Sequence, residues 1–223
     1  MMGELEIMED KGLIILKAHI VTYGNAANIV LTERIRKEIE EMWNQPRGIV
    51  RLSNRNYTLL FEISAECSPQ IEPLEIVSNT DPRRNFFRIE EKAVGNISFV
   101  DGLGCNTGYF QADNLYEGST TAAHEFGHTI GLDHPSTIDI RGQGRPGIMY
   151  PRGTLVDPPY QYDPNIEAGL PGGTMHPMHR RVLQTDISDL KINRLRFNDH
   201  LTVIGDFSNQ FHPDHGPLIN QIS

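Results

Sequence analysis

Cysteine is almost missing from this chain: Cys67 and Cys105 are the only two among 223 residues. That rules out a disulfide framework and leaves one bridge or two free thiols. Long apolar runs are missing too. The most apolar stretch, Leu13 to Val21, is broken by Lys17 and His19, so no transmembrane helix is expected and no membrane partner. The first ten residues carry four acidic groups and no basic one, the reverse of a secretory signal. The expected location is therefore cytoplasmic, or outside the cell by a signal-independent route, and two free thiols suit the first. Positive charge is scarce, with 20 Lys and Arg against 29 Asp and Glu and a net charge of −9. Broad binding to nucleic acid is excluded on that balance. The basic clusters Arg83-Arg84 and His179-Arg180-Arg181 are short.

What is present has the patterning of a folded domain. Residues 13–22 are rich in β-formers and predict a strand. Over 27–44 the period changes to helical, with Leu31, Ile35, Ile39 and Met42 on one face, and Pro46 and Gly48 end it. Residues 56–65 predict another strand, 68–84 a loop with three prolines, and 85–91, 96–101 and 108–112 short strands. A second helix is expected over about 119–130 with Ser119 as its N-cap. Prolines and glycines then recur through 131–178, a stretch expected to be irregular and functional. Helical spacing returns over 182–192, and 197–223 reads as a polar tail. The order of elements predicts an α+β domain.

The chemistry concentrates in residues 124–134, His-Glu-Phe-Gly-His-Thr-Ile-Gly-Leu-Asp-His. Positions four apart share a helix face, so His124 and His128 project together and can hold one metal ion. Glu125 lies roughly 100° around the helix, placed to take a proton from a metal-held water without being a ligand. Two ligands leave zinc under-coordinated. Gly131 tolerates the left-handed conformation that reverses a chain at a helix end, which lets His134 return as a third ligand. Three histidines and one open position are what a catalytic zinc site needs.

H-E-x-x-H-x-x-G-x-x-H followed by a methionine turn resembles the signature of the metzincin zinc metallopeptidases. Ala122 to His134, with Gly147-Ile148-Met149-Tyr150-Pro151 as the turn, is most similar to the matrixin branch. The resemblance implies that Met149 forms an apolar floor under the imidazoles. It implies that Asp186, in Leu183-Gln184-Thr185-Asp186-Ile187, supports the turn by hydrogen bonds. It also implies an edge strand over Asn96–Asp101 that aligns an extended peptide by strand addition, so Ile97, Ser98 and Phe99 are candidate substrate contacts. The long loop at about 150–178 would form the far wall, with Tyr150, Pro151 and His176 as further candidates. The chain departs from the matrixin pattern at 108–114, where Tyr109 and Gln111 replace metal-binding residue types. The family's structural zinc and calcium are therefore not carried over, and any second metal stays open.

The expected fold is a metzincin-like or zincin-like single catalytic domain: a twisted, mostly parallel sheet with an active-site helix, and an irregular C-terminal subdomain ending in a helix. Its upper half would span about 1–131 and its lower half about 132–196, with 197–223 as tail. The expected function is zinc-dependent hydrolysis of internal peptide bonds with Glu125 as general base, one catalytic Zn2+, and a protein or peptide as partner. Two alternatives stand beside it: a toxin or effector protease with a narrow target, and a metal- or peptide-binding module without activity. An intact Glu125 disfavours the last. Cys105 as a thiolate cap on the metal, and His212 with His215 as a stray metal site, are weaker readings than structural ones. Oligomeric state is open.

Overall fold

The computed structural model describes residues 3–92 and 98–214. In chain order its elements are β1 (Gly3–Met8), β2 (Leu13–Tyr23), α1 (Ile29–Asn44), β3 (Ile49–Leu52), β4 (Arg55–Cys67), α2 (Pro73–Val77), β5 (Arg84–Glu90), β6 (Phe99–Val100), β7 (Thr107–Gln111), α3 (Thr121–Thr129), α4 (Gln184–Asp189) and β8 (Leu201–Ile204). The strands form one curled, mixed sheet in the order β3-β4-β2-β5-β7-β6, with β1 on β2 and β8 on β1. The protein is α+β.

β2 organises the sheet. One edge pairs in parallel with β4 from Leu13 to Thr22. The other edge is shared: β1 pairs antiparallel with Leu13–Lys17, and β5 pairs in parallel from His19 onward. Apolar side chains cover both faces of β2, as a buried central strand requires. Ile14, Leu16, Ala18 and Ile20 join the main core. Val21 and Tyr23 join a smaller core on the opposite face with Ile71, Ile76 and Phe86.

α1 starts where Asn28 accepts a hydrogen bond from the N–H of Leu31 at 3.0 Å. Leu31, Ile35, Ile39 and Trp43 are its buried stripe, each worth roughly 1.5–3 kcal/mol on burial. Trp43 reaches furthest, packing on Phe61 of β4 and Phe126 of α3. One side chain thus ties α1 to both the sheet and the second helix.

Several expectations need correction. The segment 68–84 is not all loop: α2 lies within it, and Ile76 fills the second core. β3 was hidden by its shortness. It pairs with β4 through a two-residue turn in which Ser53 and Asn54 both have positive φ, 44° and 68°, as a tight hairpin of this hand demands. The sheet is parallel only in its centre, β4-β2-β5-β7, and every outer pairing is antiparallel. The helix expected over 182–192 is the shorter α4, which ends before Lys191 enters the left-handed region at φ 51°.

The supposed tail is part of the sheet: β8 pairs antiparallel with Gly3–Glu6 of β1. Beyond it, Ser208 and Asn209 donate backbone N–H groups to Asn106, and buried His212 bonds to Asp101 at 2.9 Å. That contact gives His212 a structural partner; His215 lies outside the described residues. Cys67 and Cys105 are separate free thiols. Among the described residues no helix is long and apolar enough to cross a membrane.

Candidate metal centre

α3 is short, and its neighbours hold both of its ends. Its first turn leaves backbone N–H groups unpaired by the helix itself. Glu38 of α1 accepts from Ala123 N–H at 3.2 Å and also from Ala122, a carboxylate at the positive end of the helix dipole. Ser119 accepts from Thr121 N–H at 3.2 Å, one residue outside the cap position that the sequence suggested for it. Thr120 takes that position with φ 57°, a strained conformation for a β-branched residue. Its hydroxyl donates to Pro177 O at 2.9 Å and accepts from Arg180 at 2.8 Å, so the lower half of the protein holds it there. At the other end Gly131 has φ 94°. Leu132 N–H reaches Gly127 O at 2.9 Å and Gly131 N–H reaches His128 O at 3.0 Å, the pair of bonds that closes a helix on a left-handed residue.

That reversal brings His134 back over the helix. His134 Nε2 lies 3.1 Å from His124 Nε2 and 3.2 Å from His128 Nε2. Tetrahedral coordination at the ~2.0–2.1 Å of zinc–histidine bonds sets neighbouring nitrogens roughly 3.3 Å apart. The three nitrogens thus converge at nearly the spacing of one small metal ion. Orientation agrees with spacing. His124 Nδ1 sits 2.7 Å from Ile148 O and His128 Nδ1 sits 2.7 Å from Leu132 O. Backbone carbonyls accept only, so each Nδ1 carries the proton and each Nε2 keeps its lone pair for a ligand. Burial lowers the pKa of all three rings, which favours the neutral form that binds metal. Among the described residues this is the only group of three or more metal-ligating side chains with such convergence. Cys105 is not in it.

The methionine turn lies beneath. Met149 is buried in the main core, and its sulfur sits where a side chain on Gly127 would begin. Gly127 is therefore needed for close approach, not for an unusual φ. Asp186 accepts hydrogen bonds from the N–H of Leu183 at 2.7 Å and of Ile148. It thereby ties α4 to the turn whose carbonyl orients His124.

Glu125 is buried, beside a cavity of about 220 Å3 that His124 and His134 also line. Desolvation pushes its pKa up to about 8, against the pull of Arg180 and Arg152. A dication alongside would favour the ionised form.

Arg180 is the residue that sequence reading passed over. Only 3% exposed, it donates to Thr120 Oγ1 at 2.8 Å and to the carbonyls of Tyr150 and Ser119 at 3.3 Å. It joins the methionine turn to the start of α3. Burial lowers its pKa to about 10, leaving it charged at neutral pH. Its sequence signal was only a short basic cluster.

The structure separates the candidate substrate contacts. Ser98 and Pro151 line the cavity. Tyr150 does not; it packs in the lower core, and its carbonyl serves Arg180. Phe99 lies on the edge strand β6, but its ring stacks on Tyr109 and packs against His212, away from the cavity. His176 accepts from Met178 N–H and packs on Tyr162, also off the cavity wall. Ile97 lies outside the described residues. No known protein family matches the chain, and no curated protein shows significant similarity to it.

Proposed function

We propose that the protein is a zinc-dependent endopeptidase of metzincin type. The observation that carries this reading is the convergence of His124, His128 and His134 at 3.1 and 3.2 Å, with Glu125 on the adjoining cavity wall. The donor set fits zinc: three neutral imidazoles, two of them oriented by backbone carbonyls, and space left for a further ligand. A bound zinc ion would supply Lewis acidity at a scissile carbonyl and lower the pKa of bound water to about 7.

The chain's own groups do the rest. Glu125 takes a proton from the attacking water and returns it to the leaving amine. Met149 and Gly127 set the depth of the apolar floor, and Asp186 holds the turn that aims His124. β6, at the end of the sheet, offers main-chain groups along which an extended peptide can align.

Metal analysis of the purified protein is expected to find about one zinc per chain, and none would sink the proposal. Glu125→Gln should keep that zinc and lose hydrolysis by about 10²- to 10⁴-fold. Equal cleavage by the variant would remove Glu125 as base. Zinc binding with no hydrolysis by the parent in a peptide-library digest would favour a binding module instead.

A further inference from the structure

The cavity beside Glu125 has more positive charge and more donors than peptide-bond hydrolysis requires. Arg180 and Arg152 both line it, in a chain whose net charge is −9. Among the described residues no carboxylate lies within ion-pair distance of Arg180, whose hydrogen bonds go to one hydroxyl and two carbonyls. These partners use three of the five N–H groups that a guanidinium carries. A buried cation without a counter-ion is costly, and protein interiors normally pair it. Glu38 and Glu125 act on it only through space, and Glu38 is already engaged by the amides of Ala122 and Ala123.

Two further residues with donors belong to the same wall. Thr121 lines the cavity, and its hydroxyl is buried with no hydrogen-bond partner. Arg152 is exposed at the mouth, where it donates to Asn114 Oδ1 at 3.2 Å. Unpaired donors in a buried site predict an acceptor supplied from outside. The volume, about 220 Å3, is below the ~300 Å3 at which pockets for drug-sized ligands begin; it suits one side chain or a chain terminus.

We infer that this cavity is a subsite for a substrate carboxylate next to the scissile bond, held by Arg180 and Arg152. The inference rests on the peptidase reading above and names its substrate class. The carboxylate has two sources, an aspartate or glutamate side chain or the α-carboxylate of a peptide's C-terminus. Planar, bidentate recognition by arginine serves both.

The test uses the zinc-loaded full chain and paired peptides read by mass spectrometry. One arm compares Glu with Gln beside the cut in C-terminally amidated peptides; the other compares free-acid with amidated ends near the cut. A preference of roughly 10- to 100-fold in kcat/KM is expected for the carboxylate in one arm, the worth of a charge-assisted hydrogen bond. The arm that responds identifies the source. Arg152→Gln should shrink that ratio several-fold, and Arg152→Glu should shift preference towards Lys. A residue with a merely structural role would not move a ratio between two peptides. Arg180→Lys keeps the charge but loses the fork, and serves as a second variant if folding permits. Ratios near one in both arms overturn the subsite while leaving the peptidase intact. Calorimetry of the same peptides on zinc-loaded Glu125→Gln protein supplies a readout independent of turnover. Equal affinities there also overturn the subsite. Carboxylate-dependent binding with no hydrolysis by the parent keeps the subsite and sinks the peptidase.

Discussion

The two halves of this molecule are held together by different means. Above the cluster, α1, α3 and the sheet share a continuous core built from Trp43, Phe61, Phe126 and the aliphatic stripe of β2. Below it, residues 131–181 lend only Leu132, Ile148 and Met149 to that core and have a small one of their own, Ile140, Val156 and Met175, with Tyr150 and Tyr160 packed on its side. Their order comes from backbone bonds between loops, such as Ile140 N–H to Leu155 O and Met175 N–H to Thr154 O. A few polar anchors, Asp186 and Arg180 foremost, add to it. The candidate ligands straddle this divide, with His124 and His128 above and His134 below. A fold stabilised by area tolerates loss of a metal, whereas one stabilised by a few directional contacts depends on it.

That contrast can be broken by experiment. The largest stability effect is expected from the upper core. Ile39→Ala should cost about 2–5 kcal/mol and lower the midpoint of the whole unfolding transition; a loss confined to the lower half would refute the division. Stripping metal with a chelator, or His134→Ala, should remove up to about 2.7 kcal/mol at metal a hundredfold above its dissociation constant. Hydrogen exchange should then accelerate over 131–181 and barely change in β2 and β4. Uniform acceleration would mean that the halves are one cooperative unit.

Gly127→Ala tests the seam between them. A methyl group there meets the sulfur of Met149 and lies 3.2 Å from Trp43, so overpacking should cost roughly 1–3 kcal/mol. Pairing it with Met149→Ala should recover part of that loss; no recovery would argue against direct contact. The smallest effect, about 1 kcal/mol, is expected from Asp186→Asn, because an amide satisfies one of two backbone donors where the carboxylate satisfies both. Here pH sharpens the reading. Burial pushes Asp186 up to about 6, above the ~3.9 of an unfolded aspartate. The folded state therefore holds the proton more tightly. The group's contribution to stability improves as pH falls from about 6 towards roughly 4, and its cost is fully present above 6. Denaturant titrations across that window should show a slope that the variant flattens; identical slopes would reject the assignment.

Legibility followed sequence distance. β2, α1, β4 and α3 were visible because their signals are periodic and local. β3 and β8 were not, because four-residue strands carry too little pattern to stand apart from loops. The edge contact Ser98 and the turn residue Pro151 were named and do line the cavity. Phe99 and His176 were named on neighbourhood alone, and packing turned their rings elsewhere.

The spacing of His124, His128 and His134, with Gly131 between them, was determined by the sequence alone, because helix period and a left-handed C-terminal residue are properties of a dozen consecutive residues. Glu38 reaching across to the helix start, Gly127 making room for Met149, and Arg180 lying buried near Glu125 with no carboxylate at ion-pair distance among the described residues were decided only by tertiary structure. Each joins positions at least 22 residues apart. A charge becomes significant only when folding removes the water around it and chooses its neighbours. In one dimension Arg180 was one basic residue among three. Buried, it has become the strongest reason to look for an acidic substrate.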